Sequence, residues 1–294
     1  MRITARAALL LATGVLFLAG LVLARPQGGD AQVLTIPVRG PVSMLEGRGG
    51  NVGVCAGPDG VWIIDTQFAD MAPKLQAAVR ELSKEPLRFV INTHWHGDHT
   101  GGNESFGALA PLVAHARVRG RMAQGRAGQA PAPAGALPSV TFEDGLRMYA
   151  NGEDIEVRHV GPAHTDGDSI VWFHTSNAVH LGDLFFNGRF PFVDLDSGGS
   201  VRGLTAAVAD LLALLPEDVR IVPGHGPLAG KAELREYHAM LVDCQALVAA
   251  AHAQKKDAAT MKQEKLLARY ARWNWEFIDE GKFIDTLARE AAQR

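Results

Sequence analysis

Thr93-His94-Trp95-His96-Gly97-Asp98-His99-Thr100-Gly101-Gly102-Asn103 follows directly on Arg88 to Asn92, a run that reads as a buried strand. Three histidines and one aspartate fall within six residues, and imidazole and carboxylate are first-choice ligands for Zn²⁺ and similar borderline cations. In an extended turn, alternation points His94 and His96 the same way, toward one metal. Asp98 and His99, beyond the small Gly97, can turn toward a second. Gly101 and Gly102 permit close backbone approach where a helix would start. A histidine cluster held only by local hydrogen bonds is the bland alternative, and this density of ligand types speaks against it.

Each metal needs further ligands, and three segments offer them in similar settings. His164 lies in Gly161-Pro162-Ala163-His164-Thr165-Asp166-Gly167-Asp168, a turn between two strands, and can complete a three-histidine group with His94 and His96. Asp183, in Leu181-Gly182-Asp183, is read as terminating a strand, where its carboxylate can bridge two cations. His225, in Pro223-Gly224-His225-Gly226, follows another strand and can join Asp98 and His99. A lone histidine is usually a structural or surface residue. Here every missing ligand sits at a strand end beside glycine, where α/β proteins assemble their sites.

Outward from these loops the chain alternates strands and helices. Residues 32–38, 51–56 and 61–65 read as strands, with Pro58-Asp59-Gly60 as the turn joining the last two. Ala69 to Leu82 has apolar residues at helical spacing and precedes the strand 88–92, so part of the sheet is expected to be parallel. Leu112 to His115 reads as a strand, Arg117 to Gln124 as a helix and Gly125 to Pro138 as an external loop. Three or four strands are expected across 140–182. Val201 to Leu215 is a helix, 219–222 a strand, and Lys231 onward two or three helices whose apolar faces cover the preceding domain. The order suggests two sheet-and-helix halves packed together.

His94-x-His96-x-Asp98-His99, followed by His164, Asp183 and His225, resembles the metallo-β-lactamase superfamily over about residues 32–230. The resemblance implies an α/β fold, a four-layer αββα sandwich with a dinuclear site at the edge of two sheets, to which the helices read over residues 231–294 add a C-terminal extension. It implies His94, His96 and His164 on one metal, Asp98, His99 and His225 on the other, and Asp183 between them. Asp65, ending Val61-Trp62-Ile63-Ile64-Asp65, resembles the family's buried aspartate that supports the metal-binding loop. Lactamases of the two-zinc types commonly carry cysteine or serine near the position of Asp183, whereas glyoxalase II, lactonases and many general hydrolases carry the bridging aspartate.

Two divalent ions, zinc first with iron or manganese also accepted by these donors, can hold a bridging hydroxide and polarise a carbonyl. Asp98 is the expected catalytic proton carrier. The leading expectation is a hydrolase opening β-lactam or similar strained cyclic amide or ester rings. A lactonase or glyoxalase II-like thioesterase is the rival, and a non-catalytic periplasmic metal-binding or assembly module the reading from another class. A small molecule is the expected partner. Lys+Arg 29 against Asp+Glu 32 and the lack of basic tracts give no reason to expect nucleic acid.

Other residues leave alternatives open. His159, His174 and His180 read mainly as strand residues. Trp95 either faces substrate or wedges the loop against the sheet. Phe185, Phe186, Phe190 and Phe192 either wall the metals or pack in the core, and Arg189 either meets a substrate carboxylate or lies in solvent. A 47% hydrophobic composition supplies a large core. At the start, a basic segment and an apolar run from Ala7 to Ala24 precede Arg25-Pro26, the form of a secretory leader. Residues 1–31 are thus expected to direct the protein to the periplasm or outside, with membrane contact only through an uncleaved leader. Export permits a disulfide between Cys55 and Cys244; two separately buried thiols are the simpler reading.

Overall fold

A computed structural model describes residues 31–125 and 130–292. The leader expectation therefore lies outside the described residues, apart from Ala31. Among the described residues no helix is long and apolar enough to cross a membrane.

The first half begins with β1 (Leu34–Arg39), β2 (Val42–Glu46), β3 (Val52–Gly57) and β4 (Gly60–Ile64), an antiparallel meander. Helix α1 (Ala72–Leu82) then crosses back to β5 (Leu87–Ile91), parallel to β4. Two short helices, α2 (Gly97–Thr100) and α3 (Asn103–Gly107), lead to β6 (Leu112–His115), α4 (Ala116–Gln124) and β7 (Val140–Phe142). These seven strands form one sheet in chain order, parallel from β4 onward. The second half contributes β8 (Gly145–Ala150), β9 (Glu153–His159), β10 (Ser169–Phe173) and β11 (Ala178–Phe186), then α5 (Val201–Leu214) and β12 (Arg220–His225). Their sheet has the order β12-β11-β10-β9-β8, with only β11 and β12 parallel. Helices α6 (Lys231–Ala253), α7 (Ala258–Gln263) and α8 (Glu280–Ala292) follow.

Period-two alternation explains the layers. In the first sheet, Cys55, Trp62, Ile64 and Ile91 face Val157, Val171 and Phe173 of the second, forming an inter-sheet core. Their neighbours Val54, Ile63 and Val90 face outward onto Leu75 and Val79 of α1. In the second sheet Ile170, Trp172, Val179 and Leu181 turn away from the first sheet and meet α5, α6 and α8. This is the expected four-layer αββα arrangement, with the C-terminal helices sharing one core with the second sheet. Helix α5 starts at Ser200, whose Oγ accepts from Gly203 N (3.0 Å). In α6, Glu233 Oε2 accepts from Gly230 N (2.9 Å) at the helix start.

Three local expectations need correction. Strand β2 was not foreseen, because Val42–Glu46 follows Gly40-Pro41 and carries Ser43 and Glu46 among its apolar residues. Five strands rather than three or four occupy 140–186, and β7 joins the first sheet. Asp183 does not end a strand. It lies within β11, where pairing with β12 shifts register on both sides of Gly182 and that glycine adopts φ +52°.

Candidate metal centre

The histidine loop is clamped from below by Asp65, at the end of β4. Its Oδ1 accepts from Thr93 N (2.8 Å), and its Oδ2 accepts from Thr93 Oγ1 and His99 Nδ1 (both 2.7 Å). Asp65 is fully buried and holds φ +66°, an uncommon conformation for a residue other than glycine. Three acceptor contacts to one loop account for its retention there. Asp65 thus orients the His99 ring, as its resemblance to the family's supporting aspartate implies.

Three of the remaining rings are fixed in the same way, each by the nitrogen pointing away from the site, while His225 is stacked on Phe186. His164 Nδ1 donates to Phe192 O (2.7 Å), His96 Nε2 to Asp194 Oδ2 (2.9 Å), and His94 Nδ1 lies 3.1 Å from Thr93 Oγ1. The nitrogens left over converge. His96 Nδ1 and His164 Nε2 are 2.8 Å apart, and His94 Nε2 is buried with no hydrogen-bond partner. His99 Nε2 and His225 Nε2 are 3.4 Å apart, and Asp98 Oδ2 lies 3.2 Å from His225 Nε2.

Asp183 stands between these two sets. Its Oδ2 faces His164 Nε2 (3.3 Å) and His94 Nε2 (3.7 Å), and its Oδ1 faces His99 Nε2 (3.1 Å) and His225 Nε2 (3.5 Å). His94, His96, His164 and Asp183 each present a ligand atom within 4.8 Å of the others, and Asp98, His99 and His225 do likewise. Buried nitrogens facing one another, and a buried Asp183 Oδ1 without a hydrogen bond, would be costly in a metal-free core. Two bound cations would satisfy them. The donor set therefore fits a dinuclear metal-binding site of the histidine and carboxylate type.

Charge divides the two donor groups: although burial opposes it, Asp183 and Asp98 raise His99 and His225 above the ordinary imidazole pKa. Burial, reinforced by neighbouring His99, holds His94 well below the ordinary imidazole pKa, and burial brings His164 down to about 4. Both are neutral lone-pair donors at neutral pH. Burial opposes ionisation of Asp183 and Asp98, but the surrounding imidazoles outweigh it. Asp183 stays well below the carboxylate range and Asp98 falls to about 2. Asp98 is also the most exposed of the seven side chains at 26%, against at most 10% for the others, so it borders the side from which a ligand enters.

Close approach of separate segments depends on two glycines. A Cβ on Gly50 would collide with the His99 ring, and one on Gly224 would collide with Asp183 Oδ1. Asn51 locks these loops together, its Nδ2 donating to Pro223 O (2.9 Å) and Gly226 O (2.8 Å). The buried Asp168 organises the His164 turn, accepting from Thr165 N (2.8 Å) and Thr165 Oγ1 (2.5 Å), although burial pushes its carboxyl up to about 7.

All seven residues expected from sequence thus meet at one place. Sequence reasoning missed Gly50, Asn51 and Asp194. The Gly49-Gly50-Asn51 run was a signal that could have been read. Asp194, in Phe192-Val193-Asp194-Leu195, carried none.

The open alternatives are decided by packing. Trp95 is buried among Ala114, Val118 and Met122, so it wedges the loop against α4. His180 Nε2 donates to Asn51 O (3.1 Å), His159 Nδ1 to Asp168 O (2.8 Å) and His174 Nε2 to Glu156 Oε2 (2.8 Å), which keeps all three out of the centre. The phenylalanines divide. Phe185 and Phe190 pack on Tyr237 and Phe283, whereas Phe186 stacks on His225 (5.1 Å) and Phe192 lies 5.6 Å from His96. Arg189 places its guanidinium 5.0 Å over the Trp275 ring. Cys55 and Cys244 are free thiols in different core layers.

Comparison with known proteins agrees with this geometry. A hydroxyacylglutathione hydrolase of Polaromonas sp. is 34% identical over 140 residues, 46% of this chain and 47% of the relative. The chain thus spans about half the length of that relative. A metallo-beta-lactamase type 2 of Bacteroides fragilis is 26% identical over 183 residues, covering 62% of this chain and 70% of the relative. Among solved structures, a metallo-beta-lactamase from Pontibacter korlensis superposes with a TM-score of 0.62 at 20% identity, covering 71% of this chain and 99% of that one, a likeness of fold. Residues 45–225 match the description of the metallo-beta-lactamase superfamily, and with the fold and paired donor groups already in view, this chain belongs to that superfamily.

Proposed function

We propose that the protein is a dinuclear-metal hydrolase, with zinc as the metal, that cleaves an acyl thioester or ester. The observation carrying this reading is Asp183, one oxygen facing each donor group, the bridging carboxylate that resembles glyoxalase II rather than the two-zinc lactamases. Hydroxyacylglutathione hydrolases recur among the similar proteins and support the same choice. It replaces β-lactam opening as the leading reading. β-Lactam hydrolysis stays as the second, supported by the Bacteroides fragilis likeness, which covers more of both chains.

Bound divalent ions would supply Lewis-acid polarisation of the carbonyl and a more acidic water. The chain's own residues do the rest. His94, His96 and His164 would hold one ion and Asp98, His99 and His225 the other, while Asp183, facing both groups, would offset their charge. Asp65, Asp194 and the Phe192 carbonyl keep the imidazoles aimed inward. Asp98, ionised and open on one side, accepts the proton of the attacking water and passes it to the leaving sulfur or oxygen. Residues 1–31 act as a secretory leader and place the protein in the periplasm or outside the cell. Residues 32–230 form the catalytic domain, and 231–294 extend it.

Purified protein assayed in parallel on an acylglutathione thioester, an aryl ester, a lactone and a chromogenic β-lactam, with and without chelator, tests the proposal. Chelator-sensitive thioester or ester cleavage is expected. Hydrolysis of the β-lactam alone would reverse the substrate order, and turnover indifferent to chelation would remove the metal from the reaction.

A further inference from the structure

The C-terminal extension reaches the metal centre. After Trp273, which is buried in the core shared by the second sheet and the C-terminal helices, the segment 274–278 turns back toward the ends of β11 and β12. It is pinned there by two hydrogen bonds to one residue: Phe190 N donates to Trp273 O (2.8 Å), and Trp275 Nε1 donates to Phe190 O (2.9 Å). Trp275 N also donates to Ile278 O (3.1 Å), and Ile278 is buried. The segment is therefore held in register with the chain between Asp183 and Asp194.

Its rings continue the aromatic wall begun by Phe186 and Phe192. The Trp275 ring lies 5.5 Å from His225 and 6.1 Å from Phe186. Phe277 lies 5.7 Å from Trp275 and 5.4 Å from Phe192, edge to face in both cases. Phe192 in turn lies 5.6 Å from His96 and 5.9 Å from His164. A continuous arc of rings thus runs from one donor group to the other. Its outermost member, Phe277, is 51% exposed, while Phe192 and Trp275 are half-buried. Phe68, the other phenylalanine among the exposed large hydrophobic residues, lies under Arg48, and the Lys282 ammonium lies 5.7 Å over the Phe277 ring. An apolar surface fixed by hydrogen bonds and open beside a catalytic centre favours a ligand group that removes it from water.

The geometry points to Trp275 and Phe277 as specificity-determining residues that hold an aromatic group of the substrate against the metal centre. This rests on the ester or thioester hydrolysis proposed above. Ring faces and edges at 5–6 Å spacing are suited to a flat aryl group, which can stack on one ring and meet the edge of the next. The site would then prefer an arylacyl ester or thioester to the corresponding acetyl compound, with the carbonyl directed at the cations.

The test compares phenylacetyl and acetyl thioesters of one thiol on the full-length, metal-loaded protein. The wild type is expected to favour the phenylacetyl substrate in kcat/KM. Phe277→Ala should reduce that preference about five- to tenfold, chiefly through KM. Trp275→Leu retains apolar bulk and should reduce it similarly. Tyr149→Ala, on the exposed face of β8, should keep the wild-type ratio. A second readout needs no turnover: saturation-transfer NMR of phenylacetate with the zinc-loaded protein should show contact with its ring protons, lost in Phe277→Ala. If thioesters are cleaved but both wall variants keep the wild-type preference, the assignment is overturned while the reaction stands. If no ester or thioester is cleaved yet phenylacetate still binds in a Phe277-dependent way, the wall stands and the reaction falls.

Discussion

Asp194 Oδ2 receives the Nε2 proton of His96 at 2.9 Å, so the opposite nitrogen of that ring is left facing His164. The same carboxylate caps the turn at Leu195–Ser197, accepting from Ser197 N (3.1 Å) and Ser197 Oγ (2.8 Å). Asp194→Asn keeps an acceptor for the cap but removes the charge opposite the imidazole. Loss of such a partner typically weakens metal affinity about 10- to 100-fold. Titration with zinc against a chromophoric chelator should show that loss at one of the two sites. Unchanged affinity at both would show that Asp194 serves the turn alone.

The separate donor groups predict separable metal losses. His225→Ala removes a donor from the group containing Asp98 and His99 and leaves His94, His96, His164 and Asp183 intact. Elemental analysis after dialysis should then find about one equivalent of metal instead of about two. Asp183→Asn removes the charge facing both groups and should lower the occupancy of each. Two retained equivalents in His225→Ala would remove that residue from the ligand set.

Gly224 and Gly120 make a contrasting pair. A Cβ on Gly224 would overlap Asp183 Oδ1 and the Gly182 carbonyl, whereas one on Gly120, within α4, would meet nothing within 4 Å. Gly224→Ala should destabilise the fold by about 1–3 kcal/mol and reduce the stabilisation gained on adding zinc. Gly120→Ala should stabilise it by up to about 1 kcal/mol and leave the zinc effect intact. Thermal melts with and without zinc measure both differences. A Gly224→Ala protein with the wild-type zinc effect would mean that Asp183 can move without consequence.

Much of this centre was legible because its chemistry is local in sequence. His94, His96, Asp98 and His99 declare themselves within six residues; Asp183 and His225 each sit beside glycine, and His164 lies in a turn bounded by Gly161 and Gly167. Period-two and helical patterns likewise exposed most strands and α1. What stayed hidden depends on contacts between distant segments. Asp194 acquires its role only when the chain after β11 folds back over His96, and Asn51 only when the chain entering β3 meets the end of β12. Strand β2 has a mixed pattern that gains its meaning from pairing with β1 and β3. The position of Trp275 depends on the docking of the C-terminal helices, and the spacing of apolar residues within them cannot encode it.

The two thiols provide a pH test of the core layers. Burial is the main cause that pushes Cys55 up to about 11 and Cys244 up to about 12 from an ordinary value of 9.0. In the folded protein both are therefore protonated at pH 8 and resist alkylation until the chain is unfolded. For a pKa raised on folding, the associated stability is complete below pH 9. It is lost as pH rises toward 11 or 12, because the unfolded chain releases the protons first. Between pH 9 and 10 the stability of the wild type should fall, relative to a Cys55→Ala, Cys244→Ala double variant, by about 1 kcal/mol per thiol. Guanidinium melts of both proteins across that interval isolate the thiols from lysines and tyrosines, which the two share. Parallel stability curves, or rapid labelling of the native protein at pH 8, would place these sulfurs within reach of water and contradict the packing of both cores.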